Sequence, residues 1–300
     1  MAEPQASLKT YRGNCHCGAF VYEITPHEIK QSSECNCSIC YKKAAIWVFP
    51  KPNDLKFVKG DPSALTNYTF GNKQFNHKFC PTCGVSLLVI GHLVAPKAGE
   101  DKEPEVGVNV RTLQHGQLDA WKLEPKSFDG NALSPAYDAP KFTGPQPSQD
   151  VEGGGGQLYT GSCHCGAVTA ALKSKPINKD LQGLVECTCS MCGRYGATWT
   201  YLLHAQVVIE GRENLGEYVF GKKLACKKFC KVCGVVVSSE PVQLTDEEAA
   251  KLDGPAREWY ESSKPITAFN LRVVNGLNVK DLTPKLFDGY NFIQPGYVEP

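Results

Sequence analysis

Apolar positions along this chain come in short runs rather than in a helical period. Phe20-Val-Tyr-Glu-Ile24, Ala45-Ile-Trp-Val-Phe49, Leu87-Leu-Val-Ile90 and Val106-Gly-Val-Asn-Val110 mark the first half. Ala197-Thr-Trp-Thr-Tyr201, Val207-Val-Ile209 and Val235-Val-Val237 mark the second. β-Branched and aromatic residues fill them, and Gly, Pro and Asn separate them, so each reads as a strand. Thr245-Asp-Glu-Glu-Ala-Ala-Lys251 departs from this pattern. A threonine followed three residues later by glutamate is a capping box, which predicts a short helix there. The stretch after it, to about Lys264, reads as an insertion without a counterpart in the first half. The expected class is mainly β, in two small and largely antiparallel domains.

The two halves repeat one another. Gly13-Asn-Cys-His-Cys-Gly-Ala19 matches Gly161-Ser-Cys-His-Cys-Gly-Ala167, and Phe70-Gly-Asn-Lys73 matches Phe220-Gly-Lys-Lys223. Lys78-Phe-Cys-Pro-Thr-Cys-Gly-Val85 matches Lys228-Phe-Cys-Lys-Val-Cys-Gly-Val235. Asn109-Val-Arg-Thr-Leu113 resembles Asn270-Leu-Arg-Val-Val274, and Phe128-Asp-Gly130 matches Phe287-Asp-Gly289. The order is kept, which indicates tandem duplication of one domain. We expect a first domain over 1–140, a Pro/Gly-rich linker over 141–157 and a second domain over 158–300. The prolines of the joining stretch are expected against the first domain, and Gly153–Gly156 as a mobile segment.

The cysteines supply the candidate chemistry. The chain has 15 in 300 residues. Cys35, Cys37 and Cys40 form a C-x-C-x-x-C triplet that returns as Cys187, Cys189 and Cys192. Around them stand Cys15, Cys17, Cys80 and Cys83, then Cys163, Cys165, Cys230 and Cys233. Such spacing lets thiolates converge on one ion, and zinc favours sulfur ligands. Disulfides and buried thiols are the alternatives. No long apolar stretch and no hydrophobic N-terminal core is present, so the protein is expected in the cytoplasm, where thiols stay reduced. A net charge of +1 gives no global pull towards nucleic acid or an anionic membrane.

Seven cysteines per domain exceed one site. Four close a tetrahedron, whereas three leave a position open. The Cys-x-x-Cys-Gly turn needs a second pair, and Cys15 and Cys17 provide it, or Cys163 and Cys165 in the second domain. Each triplet is left to hold a separate ion, open to water or substrate. Histidine closure by His16 or His164 is the alternative, although a residue between two ligands on a strand points away from them. Up to two zinc ions per domain follow. Three thiolates leave a soft centre suited to a carbonyl or a sulfur ligand.

Other residues carry weaker signals. Arg111 and Arg272 are candidates to bind a substrate carboxylate; the alternative is a structural arginine bonding loop carbonyls. Trp47 and Trp199 can wall a pocket, though core packing is the expectation. Lys42, Lys43 and Arg194 could attract an anionic substrate; the alternative for the lysines is plain exposure beside a turn. Cys226 is unpaired and faces Asn76 in the repeat alignment, so it is not expected to be a ligand.

These motifs resemble the glutathione-dependent formaldehyde-activating enzyme family, which shares its domain with centromere protein V. The resemblance spans both halves. It implies an Mss4-like β fold with two zincs per domain, with the four-cysteine sets structural and the two triplets at the catalytic ion. It implies a carbon–sulfur lyase that joins formaldehyde to glutathione, with a small-molecule thiol as partner. The rival readings are a zinc-scaffold module for protein partners, and a lyase on a different thiol conjugate in secondary metabolism. The family often has Gly four residues after the third triplet cysteine; the second domain keeps Gly196, whereas the first has Ala44.

Overall fold

The structure is a computed structural model that describes residues 8–94, 96, 100–133 and 135–300. It divides into two compact units. One comprises the chain up to Tyr137 with Arg194–Gly196 and Val298–Pro300; the other comprises Asp138–Gly193 with Ala197–Tyr297.

The first repeat contains β1 (Tyr11–Asn14), β2 (Val21–Ile24), β3 (Ser33–Cys35), α1 (Ser38–Lys43), β4 (Ile46–Val48), β5 (Leu55–Lys59), β6 (Thr66–Tyr68), β7 (Phe75–Phe79), β8 (Ser86–Gly91), β9 (Glu105–Asn109) and β10 (Lys126–Phe128). The second contains β11 (Gln157–Ser162), β12 (Thr169–Ser174), β13 (Val185–Cys187), α2 (Ser190–Tyr195), β14 (Thr198–Leu203), β15 (Val207–Glu210), β16 (Leu215–Val219), β17 (Ala225–Cys230), β18 (Val236–Pro241), α3 (Asp246–Ala250), α4 (Gly254–Ser263), β19 (Ile266–Asn270), β20 (Lys285–Phe287) and α5 (Gly289–Phe292). The protein is mainly β, as its apolar runs predict.

Each repeat builds the same two sheets. A three-stranded sheet runs β1-β2-β5, and a seven-stranded one runs β10-β3-β4-β9-β8-β7-β6. Their counterparts are β11-β12-β15 and β20-β13-β14-β19-β18-β17-β16. Neighbours are antiparallel except at one edge of each large sheet. There β10 runs parallel to β3, and β20 parallel to β13. This late return of the chain sets the start of the Phe-Asp-Gly motif beside the first triplet cysteine: Phe128 pairs with Cys35, and Phe287 with Cys187.

Inward residues of the strands make the core. Tyr11, Tyr22, Ile24, Ile39, Phe79, Leu87 and Leu88 are fully buried in the first repeat, as are Leu172, Trp199, Phe229 and Phe269 in the second. The predicted capping box of α3 is present: Glu248 N–H donates to Thr245 Oγ1, and Thr245 N–H to Glu248 Oε2. The following stretch folds as α4, capped by Asp253 and started by Pro255. Tyr260 and Ala256 of α4 pack with Leu224, Leu244 and Leu252 in a small satellite core.

One expectation is corrected in the joining stretch. Pro140 belongs to the second unit, where its carbonyl accepts from Asn275 Nδ2 at 3.2 Å. Further along, Gln149 N–H donates to Ala205 O, Gln206 Nε2 donates to Asp150 O, and Val151 is buried. The backbone polar groups find partners on the second repeat, so the stretch there acts as a strap.

Ala44 ends α1 with φ of 48°, a left-handed conformation that an L residue with a Cβ adopts at a cost of about 1 kcal/mol. Ala44→Gly is therefore expected to stabilise the first unit by about 0.5 kcal/mol, after allowance for the freer unfolded chain. Thermal unfolding should show a higher first midpoint; a lower one would mean that the methyl packing outweighs the strain.

Candidate metal centres

The tight turn between β1 and β2 carries Cys15 and Cys17, and the turn between β7 and β8 carries Cys80 and Cys83. These turns belong to different sheets, yet the four Sγ atoms lie within 4.8 Å of one another. Cys15 and Cys17 sulfurs are 3.6 Å apart, and Cys17 and Cys80 are 3.5 Å apart. Ligands about 2.3 Å from a tetrahedral ion stand about 3.8 Å apart, so the spacing fits such an ion. It is far beyond a disulfide bond of about 2.05 Å, and all 15 cysteines are unbridged. Gly84, at φ of 69°, lets the chain fold back so that its N–H reaches Cys80 O at 2.9 Å. The same four-sulfur group recurs as Cys163, Cys165, Cys230 and Cys233.

The triplets form separate groups. Cys35 ends β3, Cys37 caps α1 and Cys40 lies in its first turn, and their sulfurs also lie within 4.8 Å of one another. Cys187, Cys189 and Cys192 repeat this arrangement. No histidine joins either group, so among the described residues each triplet lacks a fourth ligand of that kind. The helix on which the third cysteine sits was not apparent from the apolar pattern, because six residues are too short for a period.

Hydrogen bonds aimed at sulfur favour the ionised state. Cys37 N–H donates to Cys35 Sγ and Cys189 N–H to Cys187 Sγ, both at 3.4 Å. Trp47 Nε1 donates to Cys40 Sγ at 3.3 Å. Cys35 is held down at about 3 by the Cys37 and Cys40 thiols, while Cys37, beside that thiolate, is pushed up to about 12. In the second domain the low position is Cys192 instead, favoured by Cys187, Cys189 and then the nearby charge of Lys227. In each triplet one thiolate opposes ionisation of its neighbours. A cation is what allows all three sulfurs to ionise together.

The Phe-Asp-Gly motif holds each triplet in place. In the first domain Asn36, between Cys35 and Cys37, donates from its N–H to Phe128 O and from Nδ2 to Asp129 Oδ1 at 2.8 Å. In the second, Thr188 Oγ1 donates to Asp288 Oδ1 at 3.2 Å. A Cβ on Gly130 would fall 2.2 Å from Cys35 Sγ, and one on Gly289 2.4 Å from Cys187 Sγ. The repeat of this motif was visible in the sequence; its contact with the sulfurs was not.

The Cys35/Cys37/Cys40 group opens into a cavity of about 170 Å³. Trp47, Phe49, Phe70, Phe75, Val89 and Leu93 supply much of its wall, with His77, Ser33, Asn72 and Glu105 among the polar members. Trp47 is thus both core and wall: it is 2% exposed and bonds a triplet sulfur. His77 lies between Trp47 and Phe70, its ring centre 6.5 and 5.8 Å from theirs. Strand alternation on β7 offered a signal for it, since Phe75, His77 and Phe79 share a face. At the corresponding place on β17 stands Lys227, which donates to Ser239 Oγ at 3.0 Å and lies over Trp199.

The expected basic residues have other work. Arg111 Nε donates to Ala44 O at 2.8 Å, and its guanidinium lies over Trp121. It braces the end of α1 and is not in the cavity wall. Arg272 reaches Glu186 at 3.9 Å, beside the second triplet. The protein's own acceptors thus engage both arginines. Lys42 and Lys43 are buried rather than exposed, with the Lys43 ammonium over Phe79, and Arg194 is buried too. Cys226 lies outside all four sulfur groups, and Asn76 bonds Asn67.

The chain is similar to known proteins in two comparisons. The family model described as "Glutathione-dependent formaldehyde-activating enzyme" matches residues 10–126 and again residues 158–266. A crystal structure of a Rhodobacter sphaeroides protein is 26% identical, over 43% of this chain and 98% of that chain, with a TM-score of 0.33.

Two variants separate the sites. Gly130→Ala should displace Cys35 and cost the first triplet its ion while the four-cysteine site keeps its own. Elemental analysis should then show one metal fewer per chain with little change in thermal midpoint. Cys83→Ser should instead unfold the first domain, because a structural ion is coupled to folding. Equal melting of Cys83→Ser and Cys37→Ser would rule out the four-plus-three division.

Proposed function

Since the chain belongs to the glutathione-dependent formaldehyde-activating enzyme family, we propose that it is a zinc-dependent carbon–sulfur lyase that forms or cleaves the S–C bond of a thiol adduct. The observation that carries this reading is the three-sulfur group at the floor of a cavity. Cys15, Cys17, Cys80 and Cys83 would hold a structural zinc, as would Cys163, Cys165, Cys230 and Cys233. Cys35, Cys37 and Cys40 would hold the reactive one, with Cys187, Cys189 and Cys192 as its twin. Bound by three thiolates, zinc supplies a soft Lewis acid for a carbonyl oxygen or a sulfur.

The protein's own groups do the rest. In the forming direction a thiol adds across a carbonyl; the S–C bond forms and the thiol proton ends on oxygen. In the reverse direction the hydroxyl proton leaves and sulfur takes one up. His77, in the cavity wall, would carry that proton in the first domain, since the other titratable wall residue besides the cysteines, Glu105, is engaged by Lys102 and Leu93 N–H. Lys227 stands in the equivalent place in the second. Trp47 aims its indole N–H at Cys40 and keeps that sulfur oriented. The aromatic wall limits water around the reacting atoms. The binding-module alternative needs none of these features.

Thiols and formaldehyde combine unaided, so the test must separate rate from equilibrium. Exchange spectroscopy on an equilibrated mixture of thiol, formaldehyde and full chain should show faster exchange than the spontaneous rate. The double variant Cys37→Ser/Cys189→Ser should return it to background, and His77→Gln should lower the first-domain share about tenfold or more. Equal exchange with wild type and double variant, across several thiols, would overturn the lyase reading.

A further inference from the structure

The first triplet does not sit in a wall suited to glutathione. Its cavity, about 170 Å³, is close to the apolar cavity of about 150 Å³ that accommodates a benzene ring. Phe49, Phe70, Phe75, Val89 and Leu93 present rings and methyl groups to it, and no lysine or arginine is among its described lining residues. Glu105 is in the wall, and it already accepts from Lys102 at 2.9 Å and from Leu93 N–H at 3.0 Å. Glutathione carries two carboxylates at neutral pH, and burying either without a cation is costly. Arg111, the sequence candidate for that task, is bound to Ala44 O and outside the wall.

The register of the second domain shows how specific this wall is. His77 faces Val89 across the β7–β8 pair, and Lys227 faces Ser239 across β17–β18. In the same alignment Ala225 stands for Phe75 and Tyr201 for Phe49. The first domain thus places apolar groups at wall positions where the second carries a cation, Lys227, and the hydroxyls of Tyr201 and Ser239.

We propose that the first-domain site takes thiol adducts whose organic group is apolar and about the size of one aromatic ring, in preference to glutathione. This rests on the lyase reading for what happens to the adduct. The step itself needs no further reactant: a hemithioacetal loses its hydroxyl proton as the S–C bond breaks, the carbonyl forms, and the departing sulfur is protonated. The apolar group buries against Phe75 and Val89, and the sulfur points to the cysteines at the cavity floor.

The test uses the full chain carrying Cys189→Ser, so that only the first triplet reports, with benzyl mercaptan and glutathione as probes in calorimetric titrations. Benzyl mercaptan is expected to bind at least tenfold more tightly than glutathione. Adding Phe75→Ala and Val89→Ser, the pair that β17 and β18 already tolerate, should weaken benzyl mercaptan about tenfold and so remove its advantage over glutathione. Near-ultraviolet circular dichroism and retained metal would verify the fold of that variant. Tighter or equal binding of glutathione, or an unchanged benzyl mercaptan affinity in the variant, would overturn the proposal. Exchange measurements on the same samples keep the two claims apart. Benzyl mercaptan binding without accelerated exchange supports the apolar preference and defeats the lyase reading; acceleration confined to glutathione does the reverse.

Discussion

Everything in each domain depends on bringing thiols from separate elements to within 4.8 Å of one another. Bare thiols gain little from such crowding, and each further negative charge in the cluster is repelled by the first. The ladder of hydrogen bonds alone does not compel it. The four-sulfur groups sit where a turn of the small sheet meets a turn of the large one, so an ion held there would tie the two sheets together. It would add to the modest cores that strands of three to six residues can build.

The triplets use the same chemistry for another end. Their sulfurs come from one short segment and are pinned by a late return of the chain, where Gly130 or Gly289 passes against the first cysteine. The site is therefore assembled only when β10 or β20 has paired. Under the proposed reading, a closed four-sulfur centre and an open three-sulfur one would divide folding from chemistry within a single small fold. The surroundings of the two triplets differ: His77 and an aromatic wall in one, Lys227 and Ser239 in the other.

Much of this was legible in the sequence because cysteine spacing is a direct record of ligand geometry. The strands were legible because β-branched and aromatic runs are interrupted by turn residues, and α3 because Thr245 and Glu248 form its cap. Features that depend on contacts between distant segments were not. Asp129 and Gly130 repeat faithfully, yet only the parallel pairing of β10 with β3 gives them a role. For Arg111 the sequence leaves open a substrate carboxylate or a loop carbonyl, and only the fold shows that the partner is Ala44 O. Lys42 and Lys43 looked exposed because burial of a lysine stem depends on what packs over it. His77 was passed over because one histidine in a short strand carries no signal until its neighbours Trp47 and Phe70 surround it. The insertion after α3 folds as α4, whose start signals, Asp253 and Pro255, stand in the sequence but outside the repeat that organises the rest of the chain.

The central claim is that each domain holds one closed and one open sulfur-bound ion. X-ray absorption at the zinc edge of the purified full chain tests it most directly, because it reads the ligand atoms around the metal. The account predicts a first shell averaging about 3.5 sulfurs per zinc at about 2.3 Å, with the remainder a single oxygen or nitrogen. Four sulfurs at every zinc, or a shell dominated by nitrogen and oxygen, would contradict it.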